Sequence, residues 1–169
     1  MKFLGITLVF LVSAMIGLYL SDRLKKRTKE LETCLIFIDK LKTSLRYRVM
    51  STNDLIRSSA ETETLSCLSC IATASDLLKS GMSFPLAWKK AVQSFSKDST
   101  MIKEDLEILA SLAEIVGTSD LEGQINALEM TESQFRHQLD QARLAHEKKG
   151  KLFRSLGALT GIGLAIVLI

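Results

Sequence analysis

The 169-residue chain is long enough for one domain with appended segments. Hydrophobic residues make up 47% and charged residues 24%, and one proline with nine glycines leaves little turn material for a sheet, so helices are favoured. A net charge of +3 without interleaved aromatic and basic residues argues against nucleic acid, and three cysteines (Cys34, Cys67, Cys70) give no disulfide framework and read as reduced cytosolic thiols.

Residues 3–20 carry no charge. As a helix they would rise about 27 Å, close to the thickness of a bilayer's hydrocarbon. A cleaved signal peptide would share Lys2 and the apolar run, but Asp22, Arg23, Lys25, Lys26 and Arg27 follow directly. No clear small-x-small cleavage site stands behind the run, which favours a retained anchor. The excess of positive charge after the run places residue 21 onward in the cytoplasm.

A first helix is expected over about 21–48, continuing the anchor, with Leu31, Leu35, Ile38, Leu41 and Leu45 on one face. Met50, Ser51, Thr52 and Asn53 form a break with N-cap candidates, and a short helix follows through Ala60. Residues 61–64 read as a loop. The next helix, roughly 65–80, is expected to turn Leu65, Leu68, Ala72 and Leu78 inward and to end at Gly81. Ser83 and Pro85 open another helix, with Phe84, Trp88, Ala91 and Phe95 as a core stripe. Asp98, Ser99 and Thr100 are expected to start the next, with Ile102, Leu106, Leu109, Ala113 and Val116 as its buried seam.

Gly117, Thr118, Ser119 and Asp120 are the sharpest punctuation. Gly117 closes one helix, and Ser119 with Glu122 would form a capping box for the next. That last helix shows no break before Gly150. Leu121, Ile125, Leu128, Phe135, Leu139 and Ala142 make its stripe, interrupted at Glu132, and the stripe must pack on the first helix, another subunit, or both. Lys148, Lys149, Lys151 and Arg154 precede the uncharged residues 155–169, a run of about 22 Å as a helix. Both basic flanks face the central segment, so both termini are placed outside and the middle inside. The second run is short enough that a buried core or interfacial helix stands as its alternative. Gly157 and Gly161, spaced G-x-x-x-G, would let another membrane helix approach closely.

Chemistry-bearing motifs are scarce. Cys67-x-x-Cys70 has no second ligand pair, and His137 and His146 are nine residues apart, which does not put two ligands side by side on a helix. No phosphate-binding loop, nucleophile elbow or H-E-x-x-H motif is present. No enzyme activity, cofactor or metal is expected.

From Leu112, the stretch LAEIVGTSDLEGQINALE, the basic segment after it and the terminal FRSLGALTGIGLAIVLI resemble the stage III sporulation protein AB family of spore-forming Firmicutes. LKSGMSFPLAWKKAV resembles the G-x-S-x-x-x-A segment of the wider type II secretion platform proteins. The resemblance covers nearly the whole chain and is loosest in the N-terminal half, where residues 50–66 carry nothing diagnostic. It implies an inner-membrane platform component, without enzyme activity, of a secretion-like sporulation complex linking mother cell and forespore. The platform would sit in the mother-cell membrane with its helical domain in the cytoplasm. The implied partners are a cytoplasmic hexameric ATPase (stage III sporulation protein AA) and other membrane and ring components. The family has no catalytic residues to carry over.

The expected fold is therefore all-α, a membrane-anchored helical bundle with a transmembrane helix at each end. Residues 1–20 and 151–169 would be transmembrane and 21–150 a cytoplasmic helical domain. Gly117, Thr118 and Asp120 are expected to shape a functional turn, with a plain helix junction as the alternative. The competing function is a membrane-tethered oligomeric signalling or scaffold protein, built on the late stripe and needing no ATPase.

Overall fold

The uncharged run 3–20 and the charged, amphipathic stretch after it contain no proline, and in the computed structural model they form one helix, α1 (Lys2–Tyr47). The structure describes the backbone of residues 2–47, 50–117 and 120–168, and the side chains of 19–47, 50–117 and 120–148. α2 (Thr52–Ala60), α3 (Ser69–Lys79), α4 (Phe84–Phe95) and α5 (Lys103–Ile115) follow, and α6 (Leu121–Leu168) closes the chain. Among the described residues every regular element is helical. No helix among them is long and apolar enough to cross a membrane; apart from Tyr19 and Leu20, the side chains of both apolar runs lie outside the described set.

α1 and α6 share the largest helix–helix interface and run antiparallel, because Arg46 meets Glu129, Lys42 meets Glu132 and Arg143 meets Glu32. α1 contributes Leu31, Cys34, Ile38 and Leu41 to the core, and α6 contributes Leu128, Phe135, Leu139 and Ala142. The expected gap in the α6 stripe is filled by Thr131, not by Glu132. Thr131 is buried and returns its hydroxyl to the Ala127 carbonyl at 2.8 Å, so its own polar group is met inside the helix. Glu132 stands beside the seam and accepts hydrogen bonds from Lys42 and Arg136.

The four shorter helices stack on this pair and bury the aromatic stripe of α4. Trp88 is fully buried, stacks on Phe37 of α1 with centroids 5.4 Å apart, and donates its indole N–H to the Leu109 carbonyl of α5 at 2.8 Å. One ring thus joins three helices. Ser51 caps α2 as expected, accepting from the Asp54 N–H at 3.2 Å. Gly81 ends α3 at φ +88°, with Gly81 N–H to the Leu78 carbonyl and Met82 N–H to the Leu77 carbonyl, the paired bonds of a Schellman ending.

Two expected boundaries shift. Residues 63–65 form a single 3-10 turn, so α3 begins at Ser69 rather than Leu65. That turn changes the helical phase, and α3 buries Cys70, Ile71, Ala74 and Ser75 while Ala72 is exposed. α5 starts at Lys103, because Ser99 and Thr100 are held by a residue far away in sequence instead of capping a helix. Its inward face is Asp105, Leu109, Leu112 and Ala113, and Ile102 is exposed.

Two outcomes follow from this packing. Trp88→Ala should destabilise the chain by about 3–5 kcal/mol, and Trp88→Phe by less, in denaturant titrations followed by far-UV circular dichroism. The Lys42 and Arg136 hydrogen bonds hold the Glu132 carboxyl below its ordinary value of 4.5. A depressed folded-state value means a contribution fully present above 4.5 and lost as pH falls through the lower folded value. Glu132→Gln should therefore flatten the fall in stability below pH 4.5; an unchanged acid limb would show that this pair contributes nothing.

Candidate functional site

One end of the bundle carries a cluster of buried charge. Arg27 falls on the same face of α1 as Glu30, Leu31 and Cys34, so the phase that buries the apolar stripe also buries it. Its guanidinium grips Asp105 with two bonds, Nε to Oδ2 at 2.7 Å and Nη2 to Oδ1 at 3.1 Å, and Nη2 also donates to Gln138 Oε1 of α6 at 3.1 Å. Asp105 is fully buried and also accepts the Ile102 N–H at 3.1 Å, which caps α5. A single carboxylate therefore starts α5 and fixes it to α1.

Glu30 lies one turn along α1 and is 1% exposed. Its Oε2 accepts from Ser99 Oγ at 3.0 Å, Thr100 Oγ1 at 2.9 Å and Thr100 N–H at 3.1 Å. Its Oε1 has no hydrogen bond and faces the Lys26 ammonium at 3.8 Å. Lys26 in turn donates to the Asp98 carbonyl at 3.0 Å. Lys26, Arg27 and Glu30 thus clamp the whole α4–α5 connection to α1, and Arg27 carries the clamp across to α6.

Gly117 and Asp120, singled out in the sequence, lie at the other end of α5, about 20 Å away by its 13-residue length. Gly117 adopts φ +88° with open space around its Cβ position, so glycine is required there by backbone conformation alone. Its N–H donates to Gln124 Oε1 at 3.1 Å, and the Gly123 N–H donates to Asp120 Oδ2 at 3.4 Å. Gly117 and Asp120 are exposed, while Gln124 is buried behind them. Thr118 and Ser119, with the expected capping box, lie outside the described residues. Gly157 and Gly161 are within α6, and their surroundings also lie outside that set.

Cys34 and Cys70 are buried, and desolvation pushes both thiols up, Cys70 to about 12. Cys67 is half-buried, with its sulfur 2.9 Å from Thr33 Oγ1. Among the described residues no group of three His, Cys, Asp or Glu side chains converges as a metal site would require. The sequence reading missed the charge clamp. Its only local signal was that Arg27 and Glu30 share the phase of Leu31, Cys34 and Ile38, and Arg27 also fits a basic membrane flank.

Asp105→Asn would leave Arg27 buried without its counter-ion and should cost about 3–5 kcal/mol. Arg27→Met combined with Asp105→Leu should recover most of that loss, as read by unfolding followed through the single tryptophan. An Asp105→Asn protein as stable as the parent would remove the clamp from the account of the fold. Replacing Gly117 by Ala should cost about 1 kcal/mol through backbone strain alone.

The chain matches the family model of stage III sporulation protein AB over residues 2–169. A solved structure of "Stage III sporulation protein AB (SpoIIIAB)" superposes with a TM-score of 0.65 at 17% identity, covering 72% of this chain and 97% of that one. At that identity the likeness establishes a shared fold. No curated protein sequence matches the chain. The family match across almost every residue is decisive: this chain belongs to the stage III sporulation protein AB family.

Proposed function

We propose that the chain is a platform component, without enzyme activity, of a secretion-like sporulation complex linking mother cell and forespore. In this reading residues 1–20 and 151–169 anchor it in the mother-cell membrane, and the helical domain couples a cytoplasmic hexameric ATPase to the membrane assembly. The observation that carries the reading is the antiparallel pairing of α1 and α6. It brings both apolar ends out of the same side of the bundle, each continuous with a helix that forms the core. Two ends leaving one side suit insertion into one membrane, with basic residues between each apolar run and the domain. Family membership supplies the sporulation context.

A rigid helix entering a bilayer transmits displacement only if the domain holds it firmly. The clamp suits that purpose, since Arg27 and Glu30 tie the base of α1 to α5, α6 and the α4–α5 connection. The competing scaffold reading relied on the α6 stripe as an oligomer surface. Leu128, Phe135, Leu139 and Ala142 are buried within the chain, so that surface is already occupied.

The ATPase should co-purify with the full chain from sporulating cells solubilised in mild detergent; its repeated absence would remove the coupling role. Thiol labelling tests the topology independently. A membrane-impermeant maleimide should leave intact cells unlabelled and, after permeabilisation, modify Cys67, with buried Cys34 and Cys70 reacting only once the protein is denatured. Labelling of Cys67 in unbroken cells would place the domain on the opposite side.

A further inference from the structure

We propose that the cleft between residues 19–26 of α1 and the α4–α5 connection holds the phosphate of an anionic phospholipid headgroup. The inference rests on the reading of residues 3–20 as a membrane anchor and extends it to the lipid that the anchor meets.

The cleft has a volume of about 500 Å³, and Arg23, Lys26 and Lys97 bring three cations to it. Two carboxylates, Asp22 and Asp98, share the lining, so its formal balance is positive. Lys26 is committed to the Asp98 carbonyl and to Glu30. Ser99 and Thr100 donate their hydroxyls to Glu30. Arg23 and Lys97 are exposed, and neither takes part in an ion pair or side-chain hydrogen bond among the described residues. Among the described residues the cleft therefore presents two cations without ion-pair partners, Arg23 and Lys97, beside the equally unpaired carboxylates of Asp22 and Asp98, while Lys26, Ser99 and Thr100 are held by the frame. Arg23 has the planar fork that matches two phosphate oxygens, and Lys97 adds a point charge from the facing side.

Depth selects a lipid over a soluble phosphate. Tyr19, 64% exposed, lies where the uncharged run gives way to charge, and it lines the same cleft. With residues 3–20 in hydrocarbon, Tyr19 falls at the interface where amphipathic rings collect, and residues 19–26 rise only about 10 Å through the headgroup layer. The Lys26–Asp98 bond spans 72 residues of sequence and holds the α4–α5 connection at that same level. A facing cation is thereby delivered from a part of the chain with no membrane segment of its own. Cations at this depth gain from the negative potential of an anionic leaflet.

The test uses the full chain in mild detergent, with native mass spectrometry reading retained phosphatidylglycerol against phosphatidylcholine. Phosphatidylglycerol should be retained preferentially. The pair Arg23→Gln and Lys97→Gln should cut its retention by about 30-fold, from the charge–surface attraction of two cations. The pair Arg57→Gln and Lys79→Gln, an equal loss of charge on α2 and α3, should change it less than about twofold. Far-UV spectra of both variants establish that they are folded. Equal retention of the two lipids, equal losses in the two variants, or displacement of the lipid by millimolar inorganic phosphate would each overturn the proposal. Carbonate extraction of the chain from phosphatidylcholine vesicles separates the two readings. A chain washed off has no membrane anchor, whereas a chain that resists extraction yet shows no headgroup preference refutes the cleft alone.

Discussion

Everything in this domain is arranged around two long helices that must lie antiparallel. Each carries one apolar stripe too long to leave in water, and each continues past the domain into an uncharged run. Leu31, Ile38 and Leu41 on α1 and Leu128, Phe135 and Leu139 on α6 are buried in one core. Complete burial of each such side chain contributes roughly 1.5–3 kcal/mol, so this shared core outweighs any single polar contact. Ion pairs along its edge, such as Glu32 with Arg143, are half exposed and act as register marks more than as sources of stability. The short helices then cover the remaining face, with Trp88 as the side chain they share with α1.

The buried clamp is a different kind of interaction. Placing Arg27, Glu30 and Asp105 out of water is unfavourable in itself, and well-packed apolar residues could fill the same space at equal or better stability. Geometry is what such a cluster supplies. A bidentate guanidinium–carboxylate pair accepts one orientation, and Asp105 spends its remaining capacity on the N-terminus of α5. Glu30 similarly fixes two successive residues of a connection that has no apolar anchor of its own beyond Met101. The polar end of the bundle is thus specified by directional bonds and the middle by packing.

The two kinds of interaction are also separated along the bundle. The directional bonds gather where α1 and α6 leave the domain, and the Gly117 turn, with exposed Gly117 and Asp120 over buried Gln124, stands at the far end of α5. α5 connects the two ends through residues that are buried along its length, from Asp105 to Ala113. The turn and the base of α1 are thus joined through one packed helix and one ion pair.

Local chemistry wrote much of this architecture into the sequence. The Ser51 cap, the Gly81 and Gly117 endings, the aromatic stripe of α4 and the unbroken course of α1 and α6 follow from capping, left-handed glycine and helical periodicity, all of which act within a few residues. Only the tertiary structure decided matters that depend on partners distant in sequence. Ser99 and Thr100 look like helix caps until Glu30, some 70 residues earlier, takes their hydroxyls. Ala72 matches an inward position until the 3-10 turn changes the phase, and Glu132 looks like a fault in the stripe until Thr131 is found to fill it. Arg27 shows the reason most clearly. A flanking charge and a buried clamp have the same one-letter signature, and what separates them is a carboxylate 78 residues away that only folding brings within 2.7 Å.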